Sequence, residues 1–330
     1  VVNVPTFDWA QAASTSCRMA QRITKRNKIL ISKFISPERM MVIKNYCHPV
    51  LEIETVEHNN ETGLIDLRDL KSKLNSDVAG FYFENPSYFG VIEEHGKKIS
   101  SLLKNNKSLM LVGCDPISLG ILETPSNYGA DITCGDIQSL GLHMFYGGAT
   151  GGFIGTSDNV EFVKEYPSRL FGISKTNVED EWGFGDVLYD ERTSFGNREG
   201  GKEFVGTASA LWGITSAVYL SLMGPKGMYE VGQTILQKSH YAINEIGKIK
   251  NLYSPKFNAS NFKEFVVDFN NTGKKVSSIN NLLQKKKIYG GKDLSKDFPE
   301  LGQSALFCIT EQHTKSDIDN LVDNLKKILS

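Results

Sequence analysis

Residues 108–163 hold the stretch that decides the fold: LMLVGCDPISLG at 109–120, NYGADITCGDIQSLG at 127–141 and GGATGGFIGTS at 147–157. Its short apolar runs end in Asp115, in Asp131 and in a glycine cluster, the pattern of successive strands feeding loops at one edge of an α/β sheet. Upstream, the spacing predicts strands over 29–35, 51–56 and 78–84 and helices over 37–46, 66–74 and 90–103. Before them comes a helix capped by Thr6 or Asp8, in which Ala12, Ala13, Cys17, Ala20 and Ile23 recur at helical spacing. Such alternation predicts a mostly parallel sheet covered on both faces. Downstream, 207–223 reads as a buried helix ended by Gly224 and Pro225, and 228–246 as a second helix. A strand at 262–269, a helix at 279–287, a strand at 305–310 and a capped helix from Ser316 then make a smaller α+β lobe. The expected division is a large α/β domain over 1–206, linking helices over 207–247 and a small α+β domain over 248–330.

An acid closing one strand, a second strand about fifteen residues on and a glycine-rich return is how many pyridoxal-phosphate enzymes build their pocket. In such a pocket the first acid pairs with the pyridinium nitrogen, and a lysine after the second strand forms the Schiff base. Between Lys107 and Lys164 this sequence has no Lys or Arg; after Asp131 it offers Thr133, Cys134, Gln138 and Ser139. No hydroxyl or amide can take the lysine's part, so the chain alone is not expected to run such chemistry. Asp115, Gln138 and Ser139 are candidates for a vestigial cofactor pocket, although Asp115 reads rather better as the residue that holds the turn before Pro116. GGATGG could cradle a phosphate through backbone N–H groups. No helix-opening G-x-G-x-x-G or GK[ST] supports a nucleotide there, and tight turns explain the glycines better.

With a net charge of -1 over 330 residues, there is no electrostatic reason to expect nucleic acid or an anionic membrane as partner. The one dense basic run, Lys285 to Lys287, reads as a solvated helix end. Arg18, Arg22 and Arg26 share a helix face and read as salt-bridging residues. Five cysteines without CxxC spacing indicate neither a zinc site nor a disulfide framework, so no metal is expected and a reduced, cytoplasmic setting follows. The longest apolar segment, 208–223, is too short and too interrupted by Ser and Thr to span a bilayer, and no signal peptide is read.

The stretch PSNYGADITCGDIQSLG (125–141), with GCDPISLGIL (113–122) before it and YPSRLFG (166–172) after it, resembles the subunit 1 family of the split glycine dehydrogenases (decarboxylating), the P-proteins of the glycine cleavage system. ENPSYFGVIEE (84–94) and LFCITEQHTKSDIDNLVDNL (306–325) extend the likeness, which runs from Asn3 to Leu329. It implies the fold of pyridoxal-phosphate-dependent transferases of type I, the aspartate-aminotransferase-like architecture. It also implies an enzyme subunit that is inactive alone. Together with glycine dehydrogenase subunit 2, whose lysine binds the pyridoxal phosphate, it would decarboxylate glycine and pass the aminomethyl group to the lipoyl arm of the H-protein. Asn85, Arg198, Glu199 and Thr207 are the residues that the likeness carries toward a shared site. By the same likeness the chain, starting at VVNVPTFDWAQAA, is expected to lack an N-terminal arm. Gly200, Gly201, Lys202, Glu203 and Phe204 depart from the family's run. That departure leaves open a non-catalytic scaffold or regulatory paralogue, and a third possibility is a free-standing pyridoxal-phosphate enzyme such as an aminotransferase.

Overall fold

The computed structural model describes residues 1–144, 150–202, 205 and 209–330. In chain order the elements are β1 (Val2–Thr6), α1 (Trp9–Thr24), β2 (Lys28–Ser32), α2 (Pro37–Cys47), β3 (Glu52–Val56), α3 (Leu67–Lys73), β4 (Val78–Glu84), α4 (Gly96–Asn106), β5 (Leu109–Gly113), β6 (Ile132–Asp136) and β7 (Gly152–Thr156). Then follow α5 (Val160–Val163), β8 (Phe171–Lys175), β9 (Trp182–Asp186), α6 (Tyr189–Arg192), α7 (Ser194–Asn197), α8 (Ala210–Gly247), β10 (Glu264–Asp268), α9 (Val276–Gln284), β11 (Lys292–Asp293), β12 (Ser304–Cys308) and α10 (Lys315–Leu329).

One sheet takes seven strands in the order β1-β7-β6-β5-β4-β2-β3. Strands β2 to β6 run parallel, β7 is antiparallel to β6, and β1 is antiparallel to β7. Parallel strands are stable only when both faces are covered, and all seven residues of β4 are buried. The pleat divides the core by alternate residues. Ile29 and Ile31 of β2 pack with Ala12, Ala13, Cys17 and Ala20 of α1 on one face. Leu30, Phe81, Met110 and Val112 pack with Ile99 and Leu103 of α4 on the other. The small residues of α1 let it lie close on the sheet, and the buried Ser14 and Ser16 hydroxyls are satisfied by the carbonyls of Ala10 (2.6 Å) and Ala12 (2.8 Å). Its arginines are structural: Arg22 pairs with Glu165, Arg26 bonds the carbonyls of Val78 and Asn106, and Arg18 lies over the Tyr46 ring.

The structure departs from the sequence-based expectations in four places. Residues 2–6, where no element is predicted from the sequence, form edge strand β1, so that Thr6 belongs to the strand; the cap is Asp8, which accepts from Gln11 N at 2.7 Å. Asp131 opens β6 rather than closing a strand, and its carboxylate accepts from Met110 N; the acid at the far end of β6 is Asp136, with Thr133 and Cys134 inside the strand. Helix α4 begins at Gly96 because residues 90–95 are used to join the two lobes: Gly90 has φ +79° and Val91 bridges to Asn261. Glu93 accepts from Ile65 N and His95 N just ahead of the helix. The hairpin of β8 and β9 was not foreseen.

Helix α8 breaks where Gly224 takes φ 61°, ψ 179°, immediately before Pro225. Its second half packs Ile243 and Ile246 against Phe265 and Val267 of the three-stranded sheet β10-β12-β11, with Ile279 of α9 and Val322 and Leu325 of α10 closing the core. Thr314 and Asp317 form a reciprocal capping box at the start of α10. Between this lobe and the main sheet lies a cluster of Phe34, Phe89, Phe257 and Phe298 with Val266 and Leu294. That aromatic seam fixes where the cleft between the lobes falls.

Candidate active cleft

Open α/β sheets present their ligands beyond the carboxyl ends of the strands. There the structure has a cavity of about 590 Å³ between the main sheet and the small lobe. The main sheet brings Glu84 at the end of β4, Asp115 just after β5 and Asp136 at the end of β6; the small lobe brings Lys263 and Glu264 at the head of β10, Cys308 at the end of β12 and Lys292.

Most charged side chains of the cleft are engaged by one another or by near neighbours. Trp9 Nε1 donates to the Tyr82 hydroxyl (3.0 Å), which donates to Glu84 (3.1 Å). Glu84 also receives a two-pronged Arg39 guanidinium at 2.6 and 2.8 Å, lying 4.2 Å over the Trp9 ring. Asp115 holds the turn through Ile117 N (3.1 Å) and accepts from the Ser139 hydroxyl (3.2 Å), while its other oxygen takes Lys263 Nζ. Lys263 also lies 3.8 Å from Glu264, which accepts from the Cys308 thiol (3.6 Å). Lys292 pairs with Glu38 at 2.9 Å and lies over the Tyr88 ring.

These surroundings set the titration of the groups. Burial raises Asp136 to about 6, with the Asp8 carboxylate adding to the shift and the Gln138 N–H (2.6 Å) opposing it. Burial also raises Glu264 above the ordinary carboxylate range and pushes the Cys308 thiol up to about 12. Burial works against charge on Lys263, yet Glu264 and Asp115 outweigh it and hold the amine well above its ordinary value. Lys292 is raised in the same manner by Tyr88 and Glu38 against its burial.

Of the residues singled out in the sequence, Asp115, Gln138 and Ser139 line this cavity together. Asn85 stands behind the wall, bonded to Glu93 N (3.0 Å) and the Tyr128 hydroxyl (3.3 Å), while its neighbours Pro86 to Tyr88 line the cavity. Arg198 and Glu199 lie exposed after α7, outside the cavity lining. Thr207, Glu203, Phe204 and the glycines at 147 and 148 fall outside the described residues. Lys202 binds Glu165 at 2.5 Å and is not part of the cleft. Sequence reading missed Lys263, Lys292, Arg39 and Glu84. The available signal was the pair Lys263-Glu264 ahead of the apolar run at 265–267, where two charges at the head of a buried run call for partners.

Pyridoxal phosphate, the cofactor implied by the resemblance, does not fit this cleft. By that resemblance its ring nitrogen would pair with the Asp115 carboxylate, which is already taken by Lys263, Ser139 and the turn. A Schiff-base lysine must be free to reach the cofactor as an amine, and Lys263 is engaged by Asp115 and Glu264 and Lys292 by Glu38. Among the described residues no cluster of three or more His, Cys, Asp or Glu side chains could hold a metal ion, and no helix is long and apolar enough to cross a membrane.

Comparison with known proteins agrees with the architecture. Residues 1–325 match the model of the family described as Glycine cleavage system P-protein. A protein of Staphylothermus marinus, named probable glycine dehydrogenase (decarboxylating) subunit 1, is 37% identical over 335 residues, covering 100% of this chain and 70% of its own. The crystal structure of glycine decarboxylase (P-protein) of the glycine cleavage system, in inhibitor-bound form, superposes with a TM-score of 0.89 at 27% identity, over 99% of this chain and 71% of that one. A NifS-like protein of Rickettsia africae shares the fold alone, with a TM-score of 0.66 at 14% identity over 99% of this chain and 81% of its own. A seven-stranded sheet of this order, a small lobe folded over its carboxyl edge and a family match across nearly the whole sequence lead to one assignment: the chain has the type I fold of pyridoxal-phosphate-dependent transferases and belongs to the glycine cleavage system P-protein family.

Proposed function

We propose that this chain is the lysine-less half of a two-subunit glycine dehydrogenase (decarboxylating). In this reading residues 1–206 form the large cofactor-fold lobe, 207–247 the linking helices and 248–330 the small lobe. The catalytic lysine, and with it the pyridoxal phosphate, belongs to a partner of the subunit 2 type. When bound there, the cofactor supplies the electron sink for the loss of CO2 from glycine; the aminomethyl group then goes to the lipoyl arm of an H-protein. The observation that carries the reading is a cleft of the right fold whose own two lysines are both engaged by carboxylates, Lys263 by Asp115 and Glu264 and Lys292 by Glu38. The subunit 1 name of the Staphylothermus relative supports the existence of a partner.

This chain's contribution is to wall the shared site and to dock its partner. Leu211, Ile214, Val218 and Leu222 lie on one face of the first half of α8, all exposed, Leu222 to 82%. Phe171 and Ile173 of β8 and Trp182 and Phe184 of β9 point to one face of their hairpin, also exposed. A shallow groove lined by both Phe171 and Ile214 joins the two patches. Exposed apolar surface on this scale marks a protein interface. From the segment after α7, Arg198 and Glu199, with Thr207 beyond, are the residues assigned to the partner's site, and Asn85 to the loop that shapes the cleft.

The test is to copurify the chain with a lysine-bearing homologue from the source cell and to assay glycine–bicarbonate exchange with lipoylated H-protein. Exchange by the pair and none by either subunit supports the proposal. Tight binding without exchange would favour a scaffold, a reading motivated by the departure at residues 200–204.

A further inference from the structure

Asp115 is the acid at the place where enzymes of this fold pair a cofactor's ring nitrogen. In this chain that place is filled from within. Lys263 reaches it from the other lobe, 148 residues along the sequence, with one-fifth of its side chain exposed against 13% for Asp115. The same ammonium lies 3.8 Å from Glu264, so one cation stands between two carboxylates across the cleft. We propose that Lys263 is an internal substitute for a cationic ring, which closes this chain's cleft to pyridoxal-type ligands and makes the Asp115–Lys263–Glu264 bridge a latch between the small lobe and the main sheet.

Space is not the obstacle. The cavity of about 590 Å³ is large enough for a small ligand, and the Trp9 and Tyr88 rings stand in its lining. Charge is. A ring nitrogen that paired with Asp115 would displace the ammonium from its nearest carboxylate and leave it only Glu264, at 3.8 Å, and a largely buried charge that loses its closest partner is costlier than one that keeps it. The inference stands on distances within this chain and holds whether or not a partner supplies the lysine.

Equilibrium dialysis of the 330-residue chain against pyridoxamine 5′-phosphate tests it, since that probe has no aldehyde to react with surface lysines. The wild type is expected to show no saturable uptake up to ~1 mM, and Lys263→Met, which keeps the length and removes the charge, to bind at least ~10-fold more tightly. Adding Asp115→Asn to Lys263→Met should abolish the gain. Wild-type uptake equal to that of Lys263→Met, or a variant folded by circular dichroism that gains nothing, overturns the proposal. A second readout does not depend on the variant folding. In the wild type, acetylation followed by peptide mass spectrometry should modify Lys263 at least ~10-fold more slowly than the exposed Lys226, because only the free amine reacts. Equal rates at the two lysines also overturn it.

Discussion

Asp136 shows what a single side chain in this cleft costs. Its carboxyl is raised from 3.8 to about 6, chiefly by burial. The folded chain therefore binds this proton more tightly than the unfolded one. The contribution to stability is greatest below pH 3.8, declines as pH rises toward 6 and is then constant; at ~1.4 kcal/mol per pH unit the loss amounts to roughly 3 kcal/mol at most. Asp136→Asn, which keeps an oxygen for the Gln138 N–H, should stabilise the chain by about 1–3 kcal/mol at pH 8 and hardly at all at pH 4, as read by urea denaturation at both pH values. Equal effects at the two would contradict the assignment. At this scale the sequence was partly legible. Asp115, Gln138 and Ser139 could be placed because they follow strands whose apolar runs announce them. Lys263 and Lys292 could not, since a search for a lysine after the second strand looks along the chain, whereas the small lobe delivers its lysines across the cleft. Asp131 was mistaken for the strand-end acid because an acid beside an apolar run looks the same at either end of it.

Among the elements, the joint between the lobes is the most constrained. Gly90 has φ +79°, and a Cβ there would stand 1.8 Å from the Glu264 carbonyl oxygen. Gly90→Ala therefore meets both a left-handed backbone and the start of β10, next to Lys263. The backbone alone should cost about 1–3 kcal/mol, with more from displacement of β10, to be measured as a fall in the urea midpoint; an unchanged midpoint would show that the joint is soft. The same joint explains why the helix predicted from residue 90 begins at Gly96, since no local pattern reveals that Val91 will bridge to Asn261. The buried strands and the break at Gly224 and Pro225 were legible because periodicity and proline act locally. Strand β1 and the β8–β9 hairpin were not, because edge strands and exposed hairpins carry little burial to pattern them.

For the whole molecule, the alternation of strand and helix was enough to anticipate a parallel sheet with a smaller α+β lobe, and the comparisons place that architecture in the P-protein family. Less legible was where the apolar surface would remain uncovered. The helix read as largely buried over 207–223 exposes Leu211, Ile214, Val218 and Leu222, since an apolar helix looks the same in sequence whether its own chain or another covers it. If a partner covers this face, Ile214→Glu should weaken association at least ~100-fold, roughly the 2–3 kcal/mol of a buried interface anchor, in sedimentation or titration calorimetry, while the chain's own melting is unchanged; undiminished association would move the interface elsewhere. The most direct test of a borrowed lysine is to load the assembled pair with pyridoxal phosphate, reduce it with borohydride and map the phosphopyridoxyl label by peptide mass spectrometry. The label should fall on a lysine of the partner, with none on Lys202, Lys263 or Lys292. Stoichiometric label on any lysine of this chain, with turnover of glycine by the chain alone, would contradict the account.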